Sequence, residues 1–225
     1  MAKESVVQIR LALFLKQSID RPEELAVNIN KDLGNIFQTP IIIPISLPKG
    51  VQFPVVQMQS ASNDYRCEIF TDRVDFYIRA LEKEEYTLLR DKLLNLMDST
   101  LPNFISNIKR IGFVNNFFVA DQNPNQTIAK LIDVKLKNAL ESEVSHQASL
   151  IYSFRETIDK FEINNYTSIH NVDLNNNAGV MIMRDFNTIP ERNYSNKLNK
   201  ENIKNLLNQM ENKFHLEEIK SLLWE

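Results

Sequence analysis

The residues that could do chemistry in this 225-residue chain are few and widely spaced. The histidines are His146, His170 and His215, and none belongs to an H-E-x-x-H pair that would set two imidazoles on one helix face for zinc. His170 precedes Asp173 and follows Ser168, the letters of a hydrolytic triad. In a strand those side chains alternate between faces, and nothing nearby supplies an oxyanion hole, so His170 and His146 are expected to be structural. Asp121 with Asp133-Val134-Lys135, and the triplet Glu218-Ile219-Lys220, spell the metal-dependent nuclease pattern D…(D/E)-x-K. Both triplets fall in predicted helices, whereas that site holds its triplet on a strand. His215-Leu216-Glu217 lacks the P-C-x-x-C partner of a zinc deaminase.

Cys67 is the sole cysteine, which excludes an intramolecular disulfide and any multi-cysteine zinc site. Arg66 could acidify it, but a lone strand cysteine is expected to be a small core residue. Gly34, Gly50, Gly112 and Gly179 stand too far apart for a P-loop, a dinucleotide fingerprint or a nucleophile elbow. No metal or cofactor is expected.

A set of polar residues inside otherwise apolar strands remains. Arg110-Ile111-Gly112 runs into Phe113 to Phe118 through Asn115 and Asn116, and Arg184-Asp185 follows Val180 to Met183. A buried polar group must find partners, because leaving one unpaired costs several kcal/mol. One explanation is a polar network that fixes strand register. The functional one is a recognition patch on one sheet face carried by Arg110, Asn116 and Arg184, with Asp185 and His170 as the candidate catalytic groups if the chain is an enzyme.

These residues must be positioned by strands. Residues 6–15 alternate apolar and polar with a period of two, which predicts a strand with one face on a core. Asp20-Arg21-Pro22-Glu23 predicts a helix start with an aspartate cap, and Leu25, Ile29, Leu33 and Ile36 continue it at helical spacing. Pro40, Pro44, Pro48 and Pro54 confine the next segment to a sheet edge or extended connection. Residues 55–60, 65–70 and 74–78 read as a three-strand meander, 82–97 as an amphipathic helix and 109–119 as an apolar strand. A helix over 127–140, strands over 145–158, 162–172 and 179–186, and a closing helix from Ile203 complete the order. This predicts an α+β fold, a largely antiparallel sheet with helices packed on one face. The chain is expected to be one domain over 1–225, with 121–126 the boundary if it divides into two halves.

Apolar residues make up 43% of the chain, enough for a core. The net charge of −3 argues against a nucleic-acid partner, although Arg66, Arg73, Arg79 and Arg110 are the groups such a partner would use. A single free thiol and the lack of a cleavable leader or spanning segment predict a cytoplasmic protein with no membrane partner.

Arg110-Ile111-Gly112-Phe113-Val114-Asn115-Asn116 resembles an R-[IL]-G-[LF]-x-x-x-N strand of a sporadically distributed family of uncharacterised bacterial proteins. Pro54-Val55-Val56-Gln57, Val180 to Asp185 and Phe214-His215-Leu216-Glu217-Glu218-Ile219 are similar to other segments of that family. Val114 departs from it, standing where members often carry a second arginine. The resemblance assigns no catalytic residue and implies an accessory role, as in mobile elements, anti-phage defence or toxin–antitoxin systems.

The expectation from the residues is a non-catalytic interaction protein with a protein partner. Residues 6–15 and 145–158 are long enough to pair across a dimer axis, making a homo-oligomer. The alternative is a metal-dependent nuclease or hydrolase, or a small-ligand binder, built on Asp185, Arg110 and His170.

Overall fold

A computed structural model describes residues 4–43, 53–80, 86–100, 102, 106–131, 148–194, 197–212, 219, 221 and 223–224. The strands are β1 (Glu4–Leu15), β2 (Ile41–Ile42), β3 (Val56–Gln59), β4 (Tyr65–Ile69), β5 (Arg73–Arg79), β6 (Ile108–Ala120), β7 (Ser149–Ile158), β8 (Phe161–Leu174) and β9 (Asn177–Thr188). The helices are α1 (Pro22–Asp32), α2 (Tyr86–Thr100), α3 (Pro124–Ala129) and α4 (Lys200–Asn212).

All nine strands of the described residues belong to one sheet, in the order β2-β3-β4-β5-β1-β6-β9-β8-β7, and every neighbouring pair is antiparallel. Two meanders are thereby joined through β1 and β6. The sheet runs unbroken through strands that precede and follow 121–126.

Turn chemistry sets the meanders. Asn175 and Asn176, both at positive φ, form the two-residue connection between β8 and β9, whose last pair is Leu174 with Asn177. Two consecutive left-handed residues are what a type I′ hairpin requires, and asparagine tolerates them better than most side chains. Asp159 does the same work at the β7–β8 turn, and Asn63 at the β3–β4 turn.

The period-two pattern buries one face. Ile9, Leu11 and Leu13 of β1 lie in register with Ile78, Phe76 and Val74 of β5 and with Asn115, Phe113 and Ile111 of β6, and Leu15 lies opposite Ile108 of β6, all buried. Ala26 and Ile29 of α1, Leu89, Leu93 and Met97 of α2, Ile128 of α3 and Ile203, Leu206 and Met210 of α4 join the same core. Phe76, Phe113, Phe161 and Phe186 are fully buried, each contributing about 1.5–3 kcal/mol of transfer free energy. Cys67 sits in this core between Met58 and Phe76, and burial pushes its thiol well above its ordinary value.

Three expectations change. Helix α1 is capped by Arg21, whose guanidinium reaches Glu24 at 2.6 Å, and no side chain bonds the cap amides. Strand β1 is hydrogen-bonded on both sides and has no free edge with which to pair in a dimer. The other proposed pairing strand, β7, is at the end of the sheet. The third concerns Arg184, which lies on the sheet face opposite to Arg110 and Asn116. The predicted segments over 132–147, with His146 and the Asp133 triplet, lie outside the described residues, as do Glu218, Lys220, His215 and Pro44 and Pro48.

Candidate functional site

Antiparallel register determines which side chains meet on the second sheet face. On β1, Gln8 stands opposite Arg79 and Asn116, Arg10 opposite Tyr77 and Val114, Ala12 opposite Asp75 and Gly112, and Phe14 opposite Arg73 and Arg110. Strand β4 adds Arg66 and Glu68, opposite Tyr77 and Asp75, and β9 adds Asp185 and Asn187, opposite Val114 and Gly112. Directly opposed residues share a face, so five arginines from four strands stand together.

Small residues in the middle make room for larger ones. A Cβ at Gly112 would lie 2.1 Å from Asn187 Oδ1, so the Asn187 side chain occupies the space that Gly112 leaves. Asn187 in turn donates from Nδ2 to Asp185 Oδ1.

Asp75 is the buried charge of this face. Arg73 Nε is 3.0 Å from Oδ1 and Arg10 Nε is 3.3 Å from Oδ2. Neither contact is aligned as a hydrogen bond, since both Nε atoms and Oδ1 are buried without a hydrogen-bond partner. Tyr77 gives its hydroxyl proton to Glu68 Oε2 at 2.8 Å and stands 3.4 Å from Asp75 Oδ2. Burial therefore outweighs the two arginines and pushes the Asp75 carboxyl up to about 6.

The guanidiniums are held by aromatic rings. Arg66 lies 4.2 Å from the Tyr77 centroid and Arg10 5.7 Å from it. Arg73 packs on Phe70 at 4.0 Å and on Phe14 at 5.4 Å, and Arg110 covers Phe14 at 3.8 Å. Stacking of this kind fixes a planar cation's orientation and contributes about 0.5–2 kcal/mol per contact, depending on desolvation.

Arg110 differs from its neighbours. Arg10 and Arg73 contact Asp75 and Arg66 contacts Glu68, but no carboxylate of the described residues lies within ion-pair distance of Arg110. Among the described residues its Nε is buried without a hydrogen-bond partner. Burial and the neighbouring Arg73 cation lower its affinity for its proton, and Asp72, Asp185 and Glu191 offset this only from a distance.

The sequence candidates thus separate. Arg110, Asp185, Asn116 and His170 share the polar face. Burial raises the Asp185 carboxyl, against the pull of Arg10, Asn187 and Arg110. His170 pairs with Met181, whereas Asp185 pairs with Tyr166, four residues away along the strand or about 13 Å. That is beyond hydrogen-bonding reach. His170 Nδ1 instead lies 3.4 Å from Ser168 Oγ, and burial lowers its proton affinity. Asn116 is six residues from Arg110 along β6, about 20 Å. Arg184 pairs with Asn115 and Thr167 on the core face, where it is buried and donates to Asn165 Oδ1 at 3.3 Å. Asn165 continues this chain by donating to Glu156 Oε1 at 2.9 Å.

Asp75, Arg10, Phe14, Tyr77, Glu68 and Asn187 escaped the sequence reading. The alternation Arg73-Val-Asp75-Phe-Tyr77 signals a polar strand face, but only the register with β1 shows that it meets Arg10 and Phe14. Among the described residues no group of three histidines, cysteines or carboxylates is placed to hold a metal. Among the described residues, too, no helix is long and apolar enough to cross a membrane. No family model, no curated protein and no solved structure matches the chain.

Proposed function

We propose that this chain is a non-catalytic binding protein whose polar sheet face recognises a carboxylate-bearing protein partner, with Arg110 as the anchor. The observation that carries this is the state of Arg110: oriented by Phe14, half-buried, and without an ion pair among the described residues. A desolvated cation held in one orientation loses little further entropy when it takes an anion, and a carboxylate fits the guanidinium fork bidentately. Asn116 and Arg79 extend the same surface towards the far end of β6.

The helices, in this proposal, pack on the apolar face alone and leave the polar face open to the partner. A protein is favoured over a nucleic acid for two reasons. Asp72, Asp185 and Glu191 act on Arg110 from a distance and break up the positive field, which suits a single carboxylate docked on the guanidinium better than a continuous phosphate backbone. Phe14 and Tyr77 are covered by guanidiniums, so they offer no bare ring for a base to stack on. A cytoplasmic setting and an accessory role in a mobile-element, defence or toxin–antitoxin system belong to the same proposal.

The test is fluorescence anisotropy with a labelled glutamate-rich peptide and, separately, a labelled oligothymidylate of equal charge. Saturable peptide binding that weakens at least tenfold in Arg110→Gln is expected. Equal binding by wild type and variant, or tighter binding to the oligonucleotide, would refute the assignment.

A further inference from the structure

We infer that β7 is a dimerisation edge, at which two copies of this chain pair antiparallel about a two-fold axis through Ser153 to make one continuous sheet. Strand β7 is ten residues long and ends the sheet, with β8 as its only strand neighbour among the described residues. Three of its apolar side chains are exposed: Ile151 at 58%, Phe154 at 47% and Tyr152 at 38%. A long apolar edge without lysine or proline pairs with any strand it meets, and protein surfaces normally guard against this. Ser149–Ile158 holds neither lysine nor proline, and its two charged side chains, Arg155 and Glu156, are tied back to Glu191, Asn164 and Asn165.

The occupant is a second copy because the strand is complementary to itself. With Ser153 on the axis, Tyr152 of each copy meets Phe154 of the other, twice over. Tyr152 and Phe154 lie on the core side of the sheet, opposite Thr167 and Asn165, so this register keeps the two core faces continuous. Ile151 then meets the aliphatic stem of Arg155 on the other side. The strand's charges do not obstruct this. Arg155 is held at 2.9 Å by Glu191 and at 3.1 Å by Asn164, and Glu156 accepts from Asn165. Each edge contributes ten residues, on the order of 50 Å² apiece, and two edges together cover on the order of 1,000 Å², where specific interfaces begin.

Sedimentation velocity between about 1 and 100 μM tests this, with two variants. The wild type is expected to dimerise, and Tyr152→Lys with Phe154→Lys to weaken dimerisation at least 100-fold while leaving the circular-dichroism melt within a few degrees. Ser153→Cys is expected to cross-link under mild oxidation, since residues opposed across an antiparallel pair have Cα atoms about 4.5–5.5 Å apart, within disulfide reach. Cys67 is buried and does not compete. A monomer at 100 μM, a dimer indifferent to the double-lysine change, or a Ser153→Cys protein that does not cross-link would each overturn the inference.

Discussion

Asp75→Asn exposes the balance of forces on the polar face. The substitution keeps the shape of the side chain and removes its charge. In the folded protein burial raises the Asp75 carboxyl from 3.8 to about 6, even with Arg10 at 3.3 Å and Arg73 at 3.0 Å. The fold therefore prefers the protonated acid, and this preference stabilises the protein most below about 3.8 and is lost as pH rises through about 6. Two units correspond to about 3 kcal/mol at most, and a window that begins above 3.8 captures roughly 2 kcal/mol of it. Asparagine does not titrate, so the stability difference between wild type and Asp75→Asn should move by this amount between pH 4.5 and 7.5, against the wild type as pH rises. For a chain of this size it corresponds to about 4–8 °C in the midpoint difference. Paired thermal melts across that pH range cancel every other titrating group. If the wild type gained on the variant with rising pH, the two arginines would outweigh burial and the account of Asp75 would be wrong.

Further outcomes follow from the packing. A Cβ at Gly179 would lie 2.5 Å from both the Phe118 ring and the Val119 carbonyl oxygen, whereas at Gly112 the nearest atom is the end of the Asn187 side chain. Gly179→Ala should therefore destabilise by about 3 kcal/mol and Gly112→Ala by about 1–2 kcal/mol, the order being read by urea denaturation. Phe113→Ala empties a fully buried site under β1 and β6 and should cost about 3–5 kcal/mol; a loss under 1 kcal/mol would contradict the burial. Cys67, buried with its thiol raised, should react with a thiol reagent only as fast as the protein unfolds, and rapid native labelling would contradict its placement.

The strands were legible because apolar alternation is local. Ile9 to Leu15, Ile111 to Val119 and the Asn175-Asn176 turn each announce themselves within a few residues. Strand order was not legible, because it depends on pairings between residues far apart in the chain. Leu11 meets Phe76 on one side and Phe113 on the other, and nothing in residues 6–15 says that this strand, not 109–119 alone, is central. The candidate site shows the same limit. Alternation puts Arg184 and Asp185 on opposite faces, yet only the β6–β9 register shows that Asp185 is the one sharing a face with Arg110. Asp75 went unread because its significance is its burial beneath Arg10 and Arg73, a consequence of β1 lying between β5 and β6.

The most direct measurement is affinity capture from a whole-cell extract of the native host, with native mass spectrometry of the eluate, comparing wild type with Arg110→Glu. A stoichiometric protein held by the wild type, released by moderate salt and lost in the variant, is the predicted result. Capture of nothing, of nucleic acid alone, or of a protein that Arg110→Glu retains in full would contradict the claim that this face, through Arg110, recognises a protein partner.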